Sequence, residues 1–369
     1  MIARSKPNVD YNFLWECICG KGQQIDNTIS NSFFFNSGAS SLLFFLNLFG
    51  TKKRVGLQVF TCSTVLDVIQ MAEDRVVLMD IDKDYFTTTY DIVEKHIDSI
   101  DILILSHLFG IPNPDYLRIK QLCQLRGVVL IDDLCQTFHA KIGGYFLEDL
   151  SDNYFYSFFY DKPISATSGG MLKLSDDLYT KAFDVYNALE KESDSRGKLL
   201  LRKLFWMSYL LEPQYYDFRN NSLWNEVLLG YYPLSCPLLL LRALLYSIVG
   251  RVFCKLHLVV KHEYKIKRMS DLQKQYVLHM IDRFNNNNKN LIAYCRKNHL
   301  HLPLYMCNSL IECSLAKRGI LHDGPTINKE NVEVALYNWP YLIDSDNNYP
   351  IADSVIKEYV NIPIWSDEF

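Results

Sequence analysis

The chain has 369 residues, 49% of them hydrophobic and 22% charged, a balance that excludes wholesale disorder and a length that exceeds one minimal domain. A formal net charge of −4 removes the electrostatic case for a dedicated nucleic-acid binder, which needs a basic face to neutralise phosphates. Ten cysteines are scattered along the whole length without a dense framework, which points to reduced thiols and a cytoplasmic protein.

From the N-terminus, the basic residues Arg4 and Lys6 have no apolar segment behind them, so no targeting signal is expected. Cys17 and Cys19 lack a second pair at zinc spacing and read as ordinary thiols; no metal site is expected. Short apolar, β-rich runs then recur at 55–60, 76–81, 102–105, 128–131 and 154–159. Helical patterns lie between several of them, at 40–49, 63–72 and 115–125. Strand–helix alternation with runs apolar nearly throughout predicts an α/β fold, a mostly parallel sheet sandwiched by helices. Ligands of such sheets sit beyond the carboxyl ends of the strands, so the polar residues just after each run are the candidates for chemistry.

Beyond 190 the rhythm breaks. Residues 190–261 are a Leu/Tyr-rich helical stretch, and its most apolar part, 234–260, is interrupted by Arg242, Arg251 and Lys255, which argues against a membrane span. The segment 223–260 could instead lie on a membrane surface as an amphipathic helix, giving peripheral contact, or be buried against the large domain or a partner subunit, the favoured alternative. Ser270 and Gln273 have capping-box spacing and predict a helix running toward Phe284. The tract 285–288 could fray that helix or form a solvated face. The remainder reads as a small α+β domain. The expected division is 1–262, a large domain, and 263–369, a small one.

Four clusters could touch a ligand. Gly38, Ala39, Ser40 and Ser41 open an apolar helix, where free amides and the helix dipole favour an anion; a simple cap by Ser37 or Ser40 is the competing reading. Asp132 and Asp133 end a strand, and being adjacent they point in different directions. Ser157 to Lys162 end another strand, and a lysine among Phe158, Phe159 and Tyr160 would be partly desolvated, which lowers its pKa and makes it a nucleophile for carbonyls. Gly169 and Gly170 permit close backbone approach or merely form a turn. A phosphate cradle, a buried acid and a desolvated lysine are together what pyridoxal phosphate (PLP) needs.

Residues 33–175 and 262–285 resemble the DegT/DnrJ/StrS family of PLP-dependent nucleotide-sugar aminotransferases, which have the fold type I architecture. The resemblance rests on Ser37-Gly38-Ala39-Ser40-Ser41-Leu42, Phe60-Thr61-Cys62, Ser106-His107-Leu108-Phe109-Gly110, Asp132-Asp133-Leu134-Cys135-Gln136, Ser157 to Lys162, Gly169-Gly170, and Arg268-Met269-Ser270-Asp271-Leu272-Gln273. It implies Lys162 as the Schiff-base lysine, Asp133 as the pyridinium partner, Gln136 near the ring hydroxyl, and Ser157 with Gly38, Ala39 and Ser40 at the phosphate. Cys62 stands where the family often places a stacking aromatic residue, Ala39 where a Thr is common, and Ile266 where an Asn is usual. His107 is either a cofactor contact or a core histidine. The resemblance further implies a homodimer, nucleotide-sugar and amino-acid substrates, glutamate as donor, and a place in bacterial surface-polysaccharide synthesis. A sugar dehydratase on the same scaffold is one alternative, against which Lys162 counts; a degenerate partner protein is another.

Overall fold

The computed structural model describes residues 6–21, 29–212, 265–322, 335–336, 341–342 and 349–365. The first part supplies strands β1 (Ser32–Phe35), β2 (Arg54–Gln58), β3 (Phe60–Thr61), β4 (Arg75–Met79), β5 (Ile102–Ser106), β6 (Val129–Asp133), β7 (Lys141–Ile142), β8 (Tyr145–Phe146), β9 (Tyr154–Ser157) and β10 (Gly170–Lys173). Seven of them form one sheet in the order β1-β10-β9-β6-β5-β2-β4. The pairs β2–β4, β2–β5, β5–β6 and β6–β9 are parallel, while β10 is antiparallel to both β9 and β1. β1 therefore runs the same way as β9, and its carboxyl end lies on the same edge of the sheet.

The unbroken apolar runs have a direct explanation. Along β5, Ile102 and Ile104 pack into one core layer, and Leu103 and Leu105 into the layer on the opposite face. Both faces are covered, so neither parity of the strand can be polar. Helices α1 (Tyr11–Cys19), α2 (Gly38–Asn47), α3 (Ser63–Met71), α4 (Tyr90–His96), α5 (Tyr116–Arg126), α6 (Asp176–Asn187), α7 (Asp194–Leu210) and α8 (Asp271–Asp282) supply that cover. Leu42 and Phe45 of α2, Val65 and Ile69 of α3 and Ala182 of α6 fill one layer. Tyr116 and Ile119 of α5, Leu201 of α7 and Tyr276 of α8 fill the other.

The predicted helix beginning at Ser270 is α8. Ser270 caps it by accepting the amide of Gln273 at 3.3 Å. The reciprocal half of the capping box is absent: the Gln273 amide instead donates to the carbonyls of Ala166, at 3.0 Å, and Ser168, at 2.6 Å, pinning the loop between β9 and β10. The asparagine tract follows the end of that helix, with Asn285 and Asn286 exposed and Asn287 and Asn288 turned onto residues 313–316. Asn287 donates to Ala316 O, and Asn288 both donates to Cys313 O and accepts the amide of Leu315.

The C-terminal part holds helices α9 (Asn288–Lys297) and α10 (Pro350–Glu358) and strands β11 (Ile311–Glu312), β12 (Arg318–His322), β13 (Ala335–Leu336), β14 (Tyr341–Leu342) and β15 (Tyr359–Pro363). β12, β15 and β13 make a three-stranded antiparallel sheet, so the expected α+β character is present. β11 joins β7 and β8, and β14 pairs with β3, so two small separate sheets tie this part to the first. The segment 223–260 lies outside the described residues. Among the described residues no helix is long and apolar enough to cross a membrane.

Candidate active site

The candidate residues collect along one edge of the large sheet, where the parallel strands end. Ser106 and Asp133 are register partners at the ends of β5 and β6, and Ser157 ends β9. Thr61, at the end of β3, stands 3.5 Å from Ser106 through their hydroxyls, and Cys62 follows it as the N-terminal residue before α3.

Helix α2 starts against this edge. Ser37 caps it, accepting the amide of Ser40 at 3.0 Å, and the two hydroxyls lie 2.9 Å apart. Three tight contacts press its first turn onto the strand ends. A Cβ on Gly38 would come within 2.7 Å of the Ser157 Cβ; one on Gly170 would come within 2.5 Å of the Ser37 carbonyl oxygen and 2.7 Å of the Gly38 Cα. Distances below 3.0 Å cannot be accommodated without movement, so glycine at 38 and 170 is what allows the approach. The simple-cap reading of Ser37 is realised, and Ser40, Ala39 and Ser157 share the corner where the helix starts.

The adjacent carboxylates separate as strand alternation requires. Asp132 points into the core. It accepts from His107 Nε2 at 3.2 Å and from the Tyr116 hydroxyl at 3.1 Å. The amide of Asn113 donates to His107 Nδ1 at 3.0 Å, so the ring proton sits on Nε2. His107 is fully buried in this network and is a core histidine. Asp133 points the other way, buried, with Oδ1 accepting the amide of Cys135 at 3.0 Å. Gln136 turns back to accept the amide of Phe109 at 3.1 Å. Phe109 and Gly110 both have positive φ, 60° and 87°, and a Cβ on Gly110 would lie 2.2 Å from the Ser314 carbonyl oxygen. The His-Leu-Phe-Gly turn is therefore a structural joint against residues 313–316, which the sequence pattern alone did not distinguish from a ligand contact.

Lys162 is buried in the loop after β9, which is closed by Ala166 N to Phe158 O and by the Ser165 hydroxyl on the Lys162 carbonyl. The expectation that desolvation lowers its pKa is corrected here. Burial does disfavour the ammonium, but the nearby carboxylates, Asp161 above all and Asp133 as well, favour it, and the amine is held above its ordinary value. Burial also pushes the Cys135 thiol well up, leaving it protonated at neutral pH. Cys62, Cys135, Asp133 and Lys162 lie close enough to act on one another electrostatically.

The segment before α8 completes the edge. Asn36 binds the backbone at Lys265 and Lys267, and Ser168 donates to Asn36 O at 2.6 Å. Gly169, at φ 121°, leaves room for Met269, whose methyl would lie 2.4 Å from a Cβ there. Ile266 packs partly buried behind α2's layer. Sequence reading missed Asp161, whose carboxylate lies 3.5 Å from the buried Arg318 guanidinium; its position directly before Lys162 was the available signal.

Comparison with known proteins agrees with this geometry. The overall structure is similar to a sugar aminotransferase of Micromonospora echinospora, at TM-score 0.65 and 14% identity over 100% of this chain and 96% of that one. It is equally similar to an aminotransferase of Streptoalloteichus hindustanus, at 0.64 and 14% over 99% and 93%. A third structure is the E. coli GDP-4-keto-6-deoxy-D-mannose-3-dehydratase with bound hydrated PLP, at 0.65 and 13% over 98% and 94%. No curated protein sequence matches the chain. A family model, that of the DegT/DnrJ/EryC1/StrS aminotransferase family, matches residues 29–199, the stretch that carries every candidate site residue.

Proposed function

We propose that the protein is a PLP-dependent aminotransferase that moves an amino group, with glutamate as donor, onto a nucleotide-linked keto-deoxysugar, acting in the cytoplasm as a homodimer for bacterial surface-polysaccharide synthesis. The observation that carries this reading is the burial of Lys162 opposite Asp133, beside a helix start pressed onto Ser157 by Gly38 and Gly170. These residues fit the cofactor. Lys162 would hold its aldehyde carbon, Asp133 its ring nitrogen, and Ser40, Ala39 and Ser157 its phosphate at the positive end of α2. Cys62, half-buried at the start of α3, and Gln136 would flank the ring. Bound PLP supplies an electron-withdrawing ring that stabilises negative charge on the donor's α-carbon.

The chain's own groups do the remaining work. Asp133 would hold the ring nitrogen, and its engagement there would take up part of the negative field that acts on Lys162. The Lys162 amine would take a proton from the donor's α-carbon and deliver it to the cofactor carbon that held the aldehyde, a transfer worth about 100-fold or more in rate. The loop from Phe158 to Ala166, fixed by Gln273, keeps that amine in place and water out.

Fold likeness does not separate an aminotransferase from a dehydratase, since solved structures of both kinds resemble the chain. Lys162 favours the aminotransferase, because it supplies the amine that the dehydratase relatives replace. Purified protein given PLP is expected to absorb in the near-visible range, with the band absent in Lys162→Ala and discharged by glutamate. A protein that stays colourless with PLP overturns the reading; a sugar product lacking nitrogen replaces it with the dehydratase.

A further inference from the structure

The C-terminal part presents a cavity the proposed mechanism does not use. It encloses about 340 Å³ beneath the N-terminal segment, and its polar walls include Lys6, Asn8, Arg283, Asn285, Lys317 and Trp365. Pro163, the residue after Lys162, also lines it. A smaller cavity shares Pro163, Ala316 and Lys317 and continues to Asp161 and Gln136. One wall thus runs from the Lys162 loop to the N-terminal segment.

Lys317 is the unusual member. Its residue is only 7% exposed, and among the described residues its ammonium has one hydrogen-bond acceptor, the Lys6 carbonyl at 2.6 Å, and no ion pair. A carbonyl carries no charge to offset a buried cation, which is costly to leave without a counter-charge. The other cations at the cavity are already matched: Lys6 pairs with Glu212, and Arg283 with Asp10 at 3.1 Å. The groups that act on Lys317 are Asp161 from the Lys162 loop, Lys6 from the N-terminal segment and Arg318 from its own strand. Burial first, then the two cations, push its pKa down to about 7 against the single pull of Asp161.

We infer that this cavity is an oxyanion subsite, in which Lys317, seconded by Arg283 and the amides of Asn8 and Asn285, receives a carboxylate or phosphate group next to the Lys162 loop. The anion supplies the missing counter-charge, and amide donors at the walls replace its hydration. This inference stands whether or not the aminotransferase reading does. Two substrate groups share that chemistry, the side-chain carboxylate of an amino acid and the phosphate of a nucleotide, and two probes separate them.

The test is calorimetric titration of inorganic phosphate and, separately, succinate into full-length protein saturated with PLP, so that phosphate does not report on the start of α2. At least one probe is expected to bind the wild type, the tighter one identifying the source. Lys317→Met should weaken it about tenfold or more, while Lys317→Arg retains it. Binding should also take up protons near neutral pH, read from titrations in two buffers of different ionisation enthalpy, because the anion favours the protonated amine. This second readout needs the wild type alone, so it stands if Lys317→Met does not fold. Equal affinities in wild type and Lys317→Met, no proton uptake, or no binding of either probe would overturn the inference. If PLP itself fails to bind, the same comparison at Lys317 still reads the cavity.

Discussion

Two adjacent carboxylates show how far a single residue's surroundings decide its role. Asp132 is committed to His107 and Tyr116 within the core, and Asp133 to the ligand edge. Their asparagine variants should therefore fail in different ways. Asp132→Asn unbalances a buried network and is expected to cost about 2–3 kcal/mol of stability, read by chemical denaturation. Asp133→Asn should leave the denaturation midpoint nearly unchanged and lower turnover about 100-fold, as loss of one aimed charge at a reacting centre does. The reverse pattern would exchange their roles. Lys317 gives a second test at this scale. Its folded pKa of about 7 lies below its unfolded value, so the folded state resists its protonation. The unfolded chain binds more protons between those values, and the group's contribution to stability rises with pH from about 7 toward 10. The unfolding free energy of wild type should accordingly climb relative to Lys317→Met between about pH 7 and pH 10, by up to about 1.4 kcal/mol per pH unit, read by denaturant unfolding. Parallel curves would remove the argument that this lysine is strained by burial.

At the scale of elements, what places the site is a set of close backbone approaches. Helix α2 meets β9 and β10 through Gly38 and Gly170, and the turn after β5 meets residues 313–316 through Gly110. Alanine at Gly110 would carry both a left-handed conformation and a 2.2 Å clash with the Ser314 carbonyl, whereas alanine at Gly143, φ 58°, meets open space. Gly143→Ala should cost about 1–2 kcal/mol from conformation alone. Gly110→Ala should exceed it by about 1–3 kcal/mol from overpacking, measured by thermal or denaturant unfolding. Equal losses would mean that the joint yields freely. The parallel strands of this layer were legible because burial on both faces leaves an uninterrupted apolar run, as in Ile102 to Leu105. β1 and β10 were not: Ser-Phe-Phe-Phe is too short to show a period, and Gly170-Met171-Leu172-Lys173 opens on a glycine pair that reads as a turn. The 285–288 tract was ambiguous for a related reason, since the side chains of Asn287 and Asn288 bond to Ala316 and Cys313, 29 and 25 positions away, which no local pattern shows.

For the molecule as a whole, the same limit separates what could be read from what could not. That Lys162, Asp133, Ser157 and the α2 start converge was legible, because the parallel fold brings the strand ends to one edge regardless of loop detail. The ionisation of Lys162 was not, because its sign is a balance of burial against carboxylates, Asp161 beside it in the chain and Asp133 from another strand, which no local pattern weighs. Nor was the cavity at Lys317, which exists only where the N-terminal segment, the end of α8 and β12 meet. The central claim is that one amine on this edge carries the cofactor. Borohydride reduction of PLP-loaded protein, followed by peptide mapping, tests it most directly. The account predicts a single stable adduct on Lys162. An unmodified Lys162, or an adduct on another lysine, would contradict it.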